Sequence, residues 1–150
     1  MLDLVPLMRE ALVLAHESLV TEDVPVGAIV VDSSGAVVGR GLNAREFDND
    51  PTSHAEIVAL RAAAVAAGNW RLDNHTLVVT LEPCAMCAGA IAQSRIKRVV
   101  FGAWDEKAGA VGSVWDILRD PRTPHQVEVI SGVLEEECSQ VLQQFFKDKR

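Results

Sequence analysis

Two stretches decide how this chain folds, Asp50-Pro51-Thr52-Ser53-His54-Ala55-Glu56 and Leu81-Glu82-Pro83-Cys84-Ala85-Met86-Cys87. The first places an imidazole and a carboxylate at the start of an alanine-rich apolar segment. The second places two thiols behind a proline, a residue that suits the first turn of a helix because its missing N–H has no intrahelical partner there. We therefore predict that Cys84 and Cys87 share one face of a helix N-terminus, where the helix dipole favours thiolate over thiol.

The two cysteines alone leave two interpretations open, because a C-x-x-C pair forms either half of a metal site or a redox pair. His54 and Glu56 would point about 200° from each other on a helix, so they cannot both bind one ion. Ser53 and Glu56 also fit the S-x-x-E capping box, in which the glutamate has only a structural role. Taken with the cysteines, His54 completes a set of three ligands, which leaves zinc an open position for water, as in catalytic zinc sites.

Length and composition indicate one globular domain over residues 1–150, with an apolar content of 49% and enough chain to bury a core. No apolar run approaches the ~20 residues of a membrane span. Asp3 and Glu10 interrupt the N-terminal segment, which therefore does not match a secretory signal. Three cysteines, two of them assigned to a metal, favour a reducing compartment, and we expect the protein in the cytoplasm.

Hydrophobic periodicity predicts alternating helices and strands. Predicted helices cover residues 4–19, 54–67, 84–94, 114–118 and 134–145, and predicted strands cover 24–32, 36–41, 76–81, 97–102 and 127–130. The apolar strand 24–32 should be central in the sheet and should form a hairpin with the next strand. The strand–helix–strand order of residues 76–102 implies a parallel crossover. These elements predict an α/β fold, a three-layer α/β/α domain on a mixed sheet with both motifs at helix N-termini.

The combination of H-x-E with P-C-x-x-C is the signature of zinc-dependent base deaminases. The chain resembles the bacterial tRNA-specific adenosine deaminases of the cytidine-deaminase-like superfamily over nearly its whole length. The segments that carry this resemblance are Val24-Pro25-Val26-Gly27-Ala28, Asn43, Asp50-Pro51-Thr52, His54-Ala55-Glu56, residues 80–90, residues 98–103, Asp105 with Lys107, Gly109-Ala110, Gly112-Ser113 and Phe145-Phe146. The zinc motif marks the superfamily, whereas the 105–113 segment and the Phe-Phe pair point to the tRNA branch.

The resemblance implies a cytidine-deaminase-like domain with a five-stranded mixed sheet. It also implies hydrolytic deamination of adenosine to inosine at the wobble position of a tRNA anticodon loop, mainly that of an arginine tRNA. His54, Cys84 and Cys87 would hold one Zn²⁺ per subunit, and zinc-bound hydroxide would attack the adenine. Glu56 would be the proton shuttle.

The same resemblance implies a set of substrate contacts and an oligomeric state. Asn43 and the backbone of Ala55 would read the base edge, with Val26 against the base face. Asp105 and Lys107 would hold flanking nucleotides, and Phe146 would lie along the bound loop. The family forms homodimers, for which an apolar surface would suit the interface; the candidate residues are Ala88, Ala90, Ile91 and Ala92.

The net charge of −7 and the isoelectric point near 5.0 are unusual for a protein that binds RNA. We expect RNA binding to depend more on the local electrostatic potential at the substrate side than on the net charge. The acidic run Glu135-Glu136-Glu137 should then lie away from the substrate. The basic residues expected on the substrate side are Arg95, Lys97, Arg98, Lys107, Arg119, Arg122, Lys147, Lys149 and Arg150.

Two other functions share the same motifs. A deaminase of guanine, cytosine or a free nucleoside would differ only in the 105–113 segment and the C-terminal tail. A non-enzymatic zinc module would need a fourth protein ligand, for which the candidates are a carboxylate, His16, His75, His125 and Cys138. Cys138 lies on the apolar stripe of the last predicted helix, which favours a role as a small buried hydrophobe. Asp105 likewise has an alternative role, as the residue that closes an Asx turn.

Overall fold

Five strands form one mixed sheet in a computed structural model that describes residues 2–149. The strands are β1 (Gly27–Val31), β2 (Val37–Leu42), β3 (Thr76–Leu81), β4 (Arg98–Ala103) and β5 (Glu128–Ile130), in the spatial order β2-β1-β3-β4-β5. β1 is antiparallel to both β2 and β3, whereas β3, β4 and β5 run parallel to one another. The predicted hairpin and the predicted parallel crossover are both confirmed.

Helices cover both faces of this sheet. They are α1 (Leu4–Glu17), α2 (Arg45–Asp48), α3 (Ala55–Ala67), α4 (Ala85–Gln93) and α5 (Glu135–Asp148), with a 3₁₀ turn at Ser18–Thr21 after α1. One buried cluster joins α3 and α4 to the sheet, and the other joins α1 and α5 to its opposite face. The three-layer α/β/α arrangement is thereby confirmed. Within residues 2–149, no helix is long and apolar enough to cross a membrane.

The strand β1 shows why the sheet needs two helical layers. Every residue of β1 is buried, because its neighbours β2 and β3 cover its edges and helices cover its faces. Ala28 and Val30 belong to the cluster with α3 and α4, whereas Ile29 and Val31 belong to the cluster with α1 and α5. Alternate residues of a strand point to opposite faces, so an uninterrupted apolar strand serves both cores.

The helix α3 lies unusually close to β2 because two residues of that strand have no side chain. A Cβ atom at Gly41 would overlap the carbonyl oxygen of Ala55, and one at Gly39 would overlap that of Ala59. The absence of a Cβ at these positions allows the helix backbone to rest directly on the strand. This close packing fixes the first turn of α3, which follows His54.

Two local predictions were wrong. Residues 114–118 do not form a helix, because the N–H groups of Val114 and Trp115 both bond to the carbonyl of Gly109. Gly112, two residues before this segment, has a φ of 129°, which is not a helical backbone angle. The predicted elements also leave out residues 45–48, which form the four-residue helix α2.

The apolar surface predicted on α4 is mostly internal. Ala88, Ile91 and Ala92 are buried in the cluster that joins α3 and α4 to the sheet, and Ala90 is partly buried. The apolar residues of this short helix are needed for packing within the subunit. The predicted interface surface was therefore wrong at Ala88, Ile91 and Ala92, whereas the partly buried Ala90 still reaches the surface.

Candidate metal centre and active site

The two sequence motifs meet where α3 and α4 begin. His54 is the residue that precedes the first turn of α3, and Cys84 precedes the first turn of α4; both have extended backbone angles. Cys87 lies in the first turn of α4 and is fully buried. The prediction placed Cys84 inside a helix, whereas the helix begins one residue later, at Ala85. Both motifs do lie at helix N-termini, as predicted.

The distances between the three side chains match what zinc requires. The His54 Nδ1 atom lies 3.7 Å from the Cys84 sulfur and 3.6 Å from the Cys87 sulfur. A tetrahedral ion with Zn–S bonds of about 2.3 Å and Zn–N bonds of about 2.0–2.1 Å needs a separation of about 3.6 Å between those atoms. Among residues 2–149, these three form the one His/Cys/Asp/Glu group whose ligand atoms lie within 4.8 Å of one another.

The protonation of the cysteines also suits a cation. A hydrogen bond from the Cys87 thiol lowers the pKa of Cys84 to about 3, and His54 acts in the same direction. The pKa of Cys87 is raised, because its proton is held by the neighbouring sulfur and burial disfavours a second negative charge. The hydrogen bond with Cys84 raises the pKa of His54. A metal ion would replace these protons, as metal binding to thiols generally does.

Among residues 2–149, no fourth His, Cys, Asp or Glu joins the group to close the site. Cys138 is buried on the opposite face of the sheet, in the cluster of α1 and α5, as its apolar stripe predicted. His75 and His125 each contact a backbone carbonyl, those of Asp73 and Ile96. The described chain therefore offers three ligands, the number typical of catalytic zinc rather than of a structural zinc module.

Glu56 lies in the first turn of α3 but does not belong to the metal group. Its side chain is only 4% exposed, and this burial raises the pKa of Glu56 to about 7. A carboxyl group with a pKa near neutrality can both accept and donate a proton at working pH, which is what general acid–base catalysis requires.

The capping-box interpretation of this carboxylate was wrong. His54, not Ser53, precedes the first turn of α3, and its side chain makes no capping bond. The Ser53 hydroxyl instead bonds to the carboxylates of Asp48 and Asp50. The N–H of Ala55 donates to the carboxamide oxygen of Asn43 at 2.9 Å, so the cap comes from outside the helix.

A cavity of about 200 Å³ opens at this point. Its lining residues are Val24, Val26, Asn43, Arg45, His54, Glu56, Leu81, Glu82, Cys84, Asp105 and Ala108. Of the predicted substrate contacts, Val26, Asn43 and Asp105 are brought together with the metal group and Glu56. A larger groove of about 780 Å³ lies between α1 and α5, and none of the metal group contributes to it.

Lys107 and Phe146 do not line the cavity. Lys107 is exposed two residues beyond Asp105, and Phe146 lies on α5 with 51% of its surface exposed, in edge contact with Phe145. Asp105 accepts hydrogen bonds on Oδ1 from the N–H groups of Lys107 and Ala108. Asp105 therefore closes an Asx turn, the alternative role given to it above, and this turn uses only one of its carboxylate oxygens.

Two buried acidic residues have no role predicted from the sequence: one lines the cavity, and the other pairs with a lining residue. Glu82 is 2% exposed and accepts hydrogen bonds from three backbone N–H groups, those of Asp105, Val111 and Ser113. The sequence did contain a signal for this role of Glu82, because a charged residue directly after a buried strand requires hydrogen-bond partners if it is buried. The partners themselves, being backbone groups, have no sequence signature.

The second unrecognised residue is Asp23, which holds Arg45 at the cavity. Asp23 is 2% exposed and accepts from the Arg45 guanidinium at 2.6 Å. Burial opposes the ionisation of Asp23, but the hydrogen bonds from Arg45 outweigh it and lower the pKa of that carboxyl. This pair keeps a partly exposed guanidinium next to the metal group.

The basic residues expected on the substrate side are partly neutralised. Arg98 pairs with Glu128, Arg119 with Asp116 and Arg122 with Asp120, at 2.7–2.9 Å. Arg150 lies outside the described residues. The acidic run at 135–137 occupies the first turn of α5, which packs on the sheet face opposite α3 and α4.

Comparison with known proteins gives the class first. A family model for the cytidine and deoxycytidylate deaminase zinc-binding region matches residues 3–103. The fold and the His-Cys-Cys group together therefore define a zinc-binding deaminase.

Individual relatives place the chain more narrowly. It is 53% identical over 144 residues to the tRNA-specific adenosine deaminase of Haemophilus influenzae, covering 96% of this chain and 83% of that protein. It is 46% identical over 143 residues to the tRNA-specific adenosine deaminase of Bacillus subtilis, covering 95% and 88%. A solved structure from studies of A-to-I editing by tRNA:A34 deaminases superposes with a TM-score of 0.88 at 42% identity, covering 91% of this chain and 99% of that one. The chain belongs to the tRNA-specific adenosine deaminase family.

We predict that replacing His54, Cys84 or Cys87 by alanine removes the metal and lowers the melting temperature, because metal that binds only the folded state stabilises it. Metal analysis and thermal unfolding with and without a chelator measure both effects. Cys138→Ala is the matched control: it should lower stability through lost packing and keep one zinc per chain. One zinc per chain in all three ligand variants would refute the assignment.

Proposed function

We propose that this chain converts adenosine to inosine by hydrolysis at the wobble position of a tRNA anticodon loop. The observation that carries the proposal is the buried Glu56 in one cavity with His54 and Cys84, two of the three grouped metal-ligand side chains. The 53% identity to a tRNA-specific adenosine deaminase supports the choice of substrate. A cytoplasmic location agrees with the free thiols of Cys84, Cys87 and Cys138.

The reaction adds water at C6 of the adenine and releases the exocyclic amine as ammonia. When bound by His54, Cys84 and Cys87, zinc supplies an activated water, with a pKa lowered from about 15.7 to about 7. Glu56 would accept a proton from the attacking water on its carboxylate and deliver it to the ring nitrogen. It would then take the proton of the new C6 hydroxyl group and pass it to the exocyclic amine, so that the C–N bond breaks and ammonia leaves. One carboxyl group with a pKa of about 7 would serve each transfer.

Base recognition is proposed for Asn43, Val26 and Ala55. The Asn43 carboxamide donates to the carbonyl of Val24 and accepts from Ala55, using one N–H and one lone pair. A carboxamide has two N–H groups and two oxygen lone pairs, so one of each remains for the edge of a base. Val26 is buried at the cavity and offers an apolar surface to the base face. The Ala55 backbone would contribute by keeping Asn43 in place.

The flanking nucleotides are proposed to contact Asp105, Lys107 and Phe146. A base inside a duplex hides its amine carbon, so the adenosine has to be presented from a loop and turned outward. Asp105 lines the cavity and keeps Oδ2 outside its turn. Lys107 and Phe146 are both exposed to solvent, where a cation and an aromatic ring suit a phosphate and a nucleobase.

The direct experiment incubates zinc-loaded protein with an anticodon stem-loop RNA of an arginine tRNA that carries adenosine at the wobble position. Inosine at that position, measured by nuclease digestion and mass spectrometry, is the expected product. Free guanine, cytosine and adenosine are tested in parallel, and a stem-loop with guanosine at the wobble position is the control. Turnover of free guanine, cytosine or adenosine, without turnover of the stem-loop, would favour the small-molecule deaminase instead.

We predict that Glu56→Gln keeps one zinc per chain and lowers kcat by about 100- to 10,000-fold, the range typical of general acid–base catalysis. Glutamine fills the same volume but cannot carry the proton. Glu46→Gln, an exposed acid on α2, is the control and should keep full activity. Near-normal turnover by the Glu56 variant would restrict that residue to a structural role.

We predict that Asp105→Asn shrinks the preference for RNA over a DNA loop of the same sequence, because a ribose 2′-OH can donate to the carboxylate. Asparagine keeps the oxygen that closes the turn, so the zinc content and the fold should not change. Glu106→Gln changes the charge of an exposed neighbour and serves as the control. An unchanged RNA-to-DNA ratio, with activity lowered equally on both substrates, would mean that Asp105 acts only through its turn.

We propose a homodimer, supported by an apolar groove next to α3 and α4. Trp70 is 60% exposed at this groove, and Ile57 and Ala90 also line it. Light scattering at micromolar concentration should give twice the chain mass of 16.2 kDa. Trp70→Ser should shift the mass toward the monomer, whereas Trp115→Ser, another exposed tryptophan, should not. A monomeric wild type would contradict the proposal.

A further inference from the structure

Glu82 connects the metal-binding stretch to the loop of residues 105–113, which we call the substrate loop. Its Oε1 atom accepts from the N–H of Asp105 at 3.0 Å. Its Oε2 atom accepts from the N–H groups of Val111 and Ser113 at 2.9 and 3.1 Å. One buried carboxylate thus holds both ends of the loop, two residues before Cys84.

Further contacts join the same two segments. The N–H of Ala110 donates to the carbonyl of Pro83 at 2.8 Å, and Gly109 forms an isolated β-bridge with Cys84. A Cβ atom at Gly109 would overlap the carboxyl group of Glu82. The loop backbone is therefore pressed directly against the glutamate, with no side chain between them.

This arrangement is specific to a carboxylate. Both oxygens accept N–H groups, and a carboxylate is the side-chain group that offers two acceptor oxygens and no donor. A carboxamide at the same place could offer its oxygen to only one side, and its NH₂ group would face an N–H on the other side. A buried N–H left without an acceptor is costly, so one end of the loop would be released.

The loop lies at the cavity. Asp105 and Ala108 line it, and Glu82 itself lies in the wall beside Cys84. A shift of the Asp105 backbone would move the side chain of Asp105 relative to His54 and Glu56. It would not change the three metal ligands, which are held by the starts of α3 and α4.

We propose that Glu82 is a positioning residue that fixes the substrate loop against the metal-binding stretch and thereby determines how tightly the RNA is held. This inference rests on the proposed function, since it assigns the loop to RNA binding. It separates two tasks within six residues: Cys84 and Cys87 hold the metal, and Glu82 places the part of the site that contacts the nucleotides around the reacting base.

The test compares wild type, Glu82→Gln and Cys138→Ala on the anticodon stem-loop, at a temperature at which all three are folded. For Glu82→Gln we expect one zinc per chain, a KM raised about tenfold and a kcat within about threefold of wild type, since a hydrogen bond to a charged group is lost. Amide hydrogen exchange without RNA should be faster at Asp105, or at Val111 and Ser113. Cys138→Ala destabilises the core on the face of the sheet opposite α3 and α4. The Cys138 side chain makes no hydrogen bond with Glu82 or its three bonded N–H groups, so this variant should leave KM and these amides unchanged.

Several results would overturn the proposal. These are an unchanged KM, a fall in kcat alone, unchanged exchange in the loop, and an equal rise in KM for Cys138→Ala. If Glu82→Gln does not fold, Gly109→Ala is the second variant, because its methyl group has to displace the carboxylate and should raise KM in the same way. A wild type that holds zinc but does not deaminate the stem-loop would contradict the proposed function, while the exchange measurement still tests the hold on the loop.

Discussion

Two helix N-termini meet beyond the carboxyl end of β3, and the site depends on this constraint. His54 precedes α3 and Cys84 precedes α4, so the relative position of the two helices determines whether the sulfurs lie 3.6 and 3.7 Å from the imidazole nitrogen. The strand β3 delivers the second stretch, and the close packing of α3 on β2 fixes the first. A metal site of this kind needs no long-range flexibility, because each ligand lies on the rigid start of a helix.

The parts of the fold that could be predicted are those with a local cause. β3 matches its predicted bounds because an apolar run ends at a charged residue and a proline, and α3 ends where Gly68 adopts a φ of 65°. The metal ligands were found because H-x-E and P-C-x-x-C occur together, although the C-x-x-C pair alone also fitted a redox pair. Residues 114–118 were mispredicted because their apolar side chains resemble a helix, whereas the backbone bonds to Gly109 prevent one.

Residues whose role depends on distant backbone groups could not be found in this way. Glu82 is bonded to N–H groups 23 to 31 residues away, and Asn43 caps a helix 12 residues further along. In both cases a single polar side chain joins two segments that lie far apart in the sequence. The net charge of −7 likewise did not locate a basic surface, and ion pairs such as Arg98 with Glu128 neutralise several of the basic residues expected on the substrate side.

The order of the strands also limits how copies of this chain can associate. The exposed edges of the sheet are β2 and β5, and both are poor templates for pairing with another strand. β5 has only three residues and begins at the exposed Glu128, while β2 presents the exposed Arg40 between two glycines. Short edges that carry charge resist the extension of a sheet from one molecule into the next. The two edge strands therefore disfavour pairing between molecules, including open-ended, amyloid-like growth.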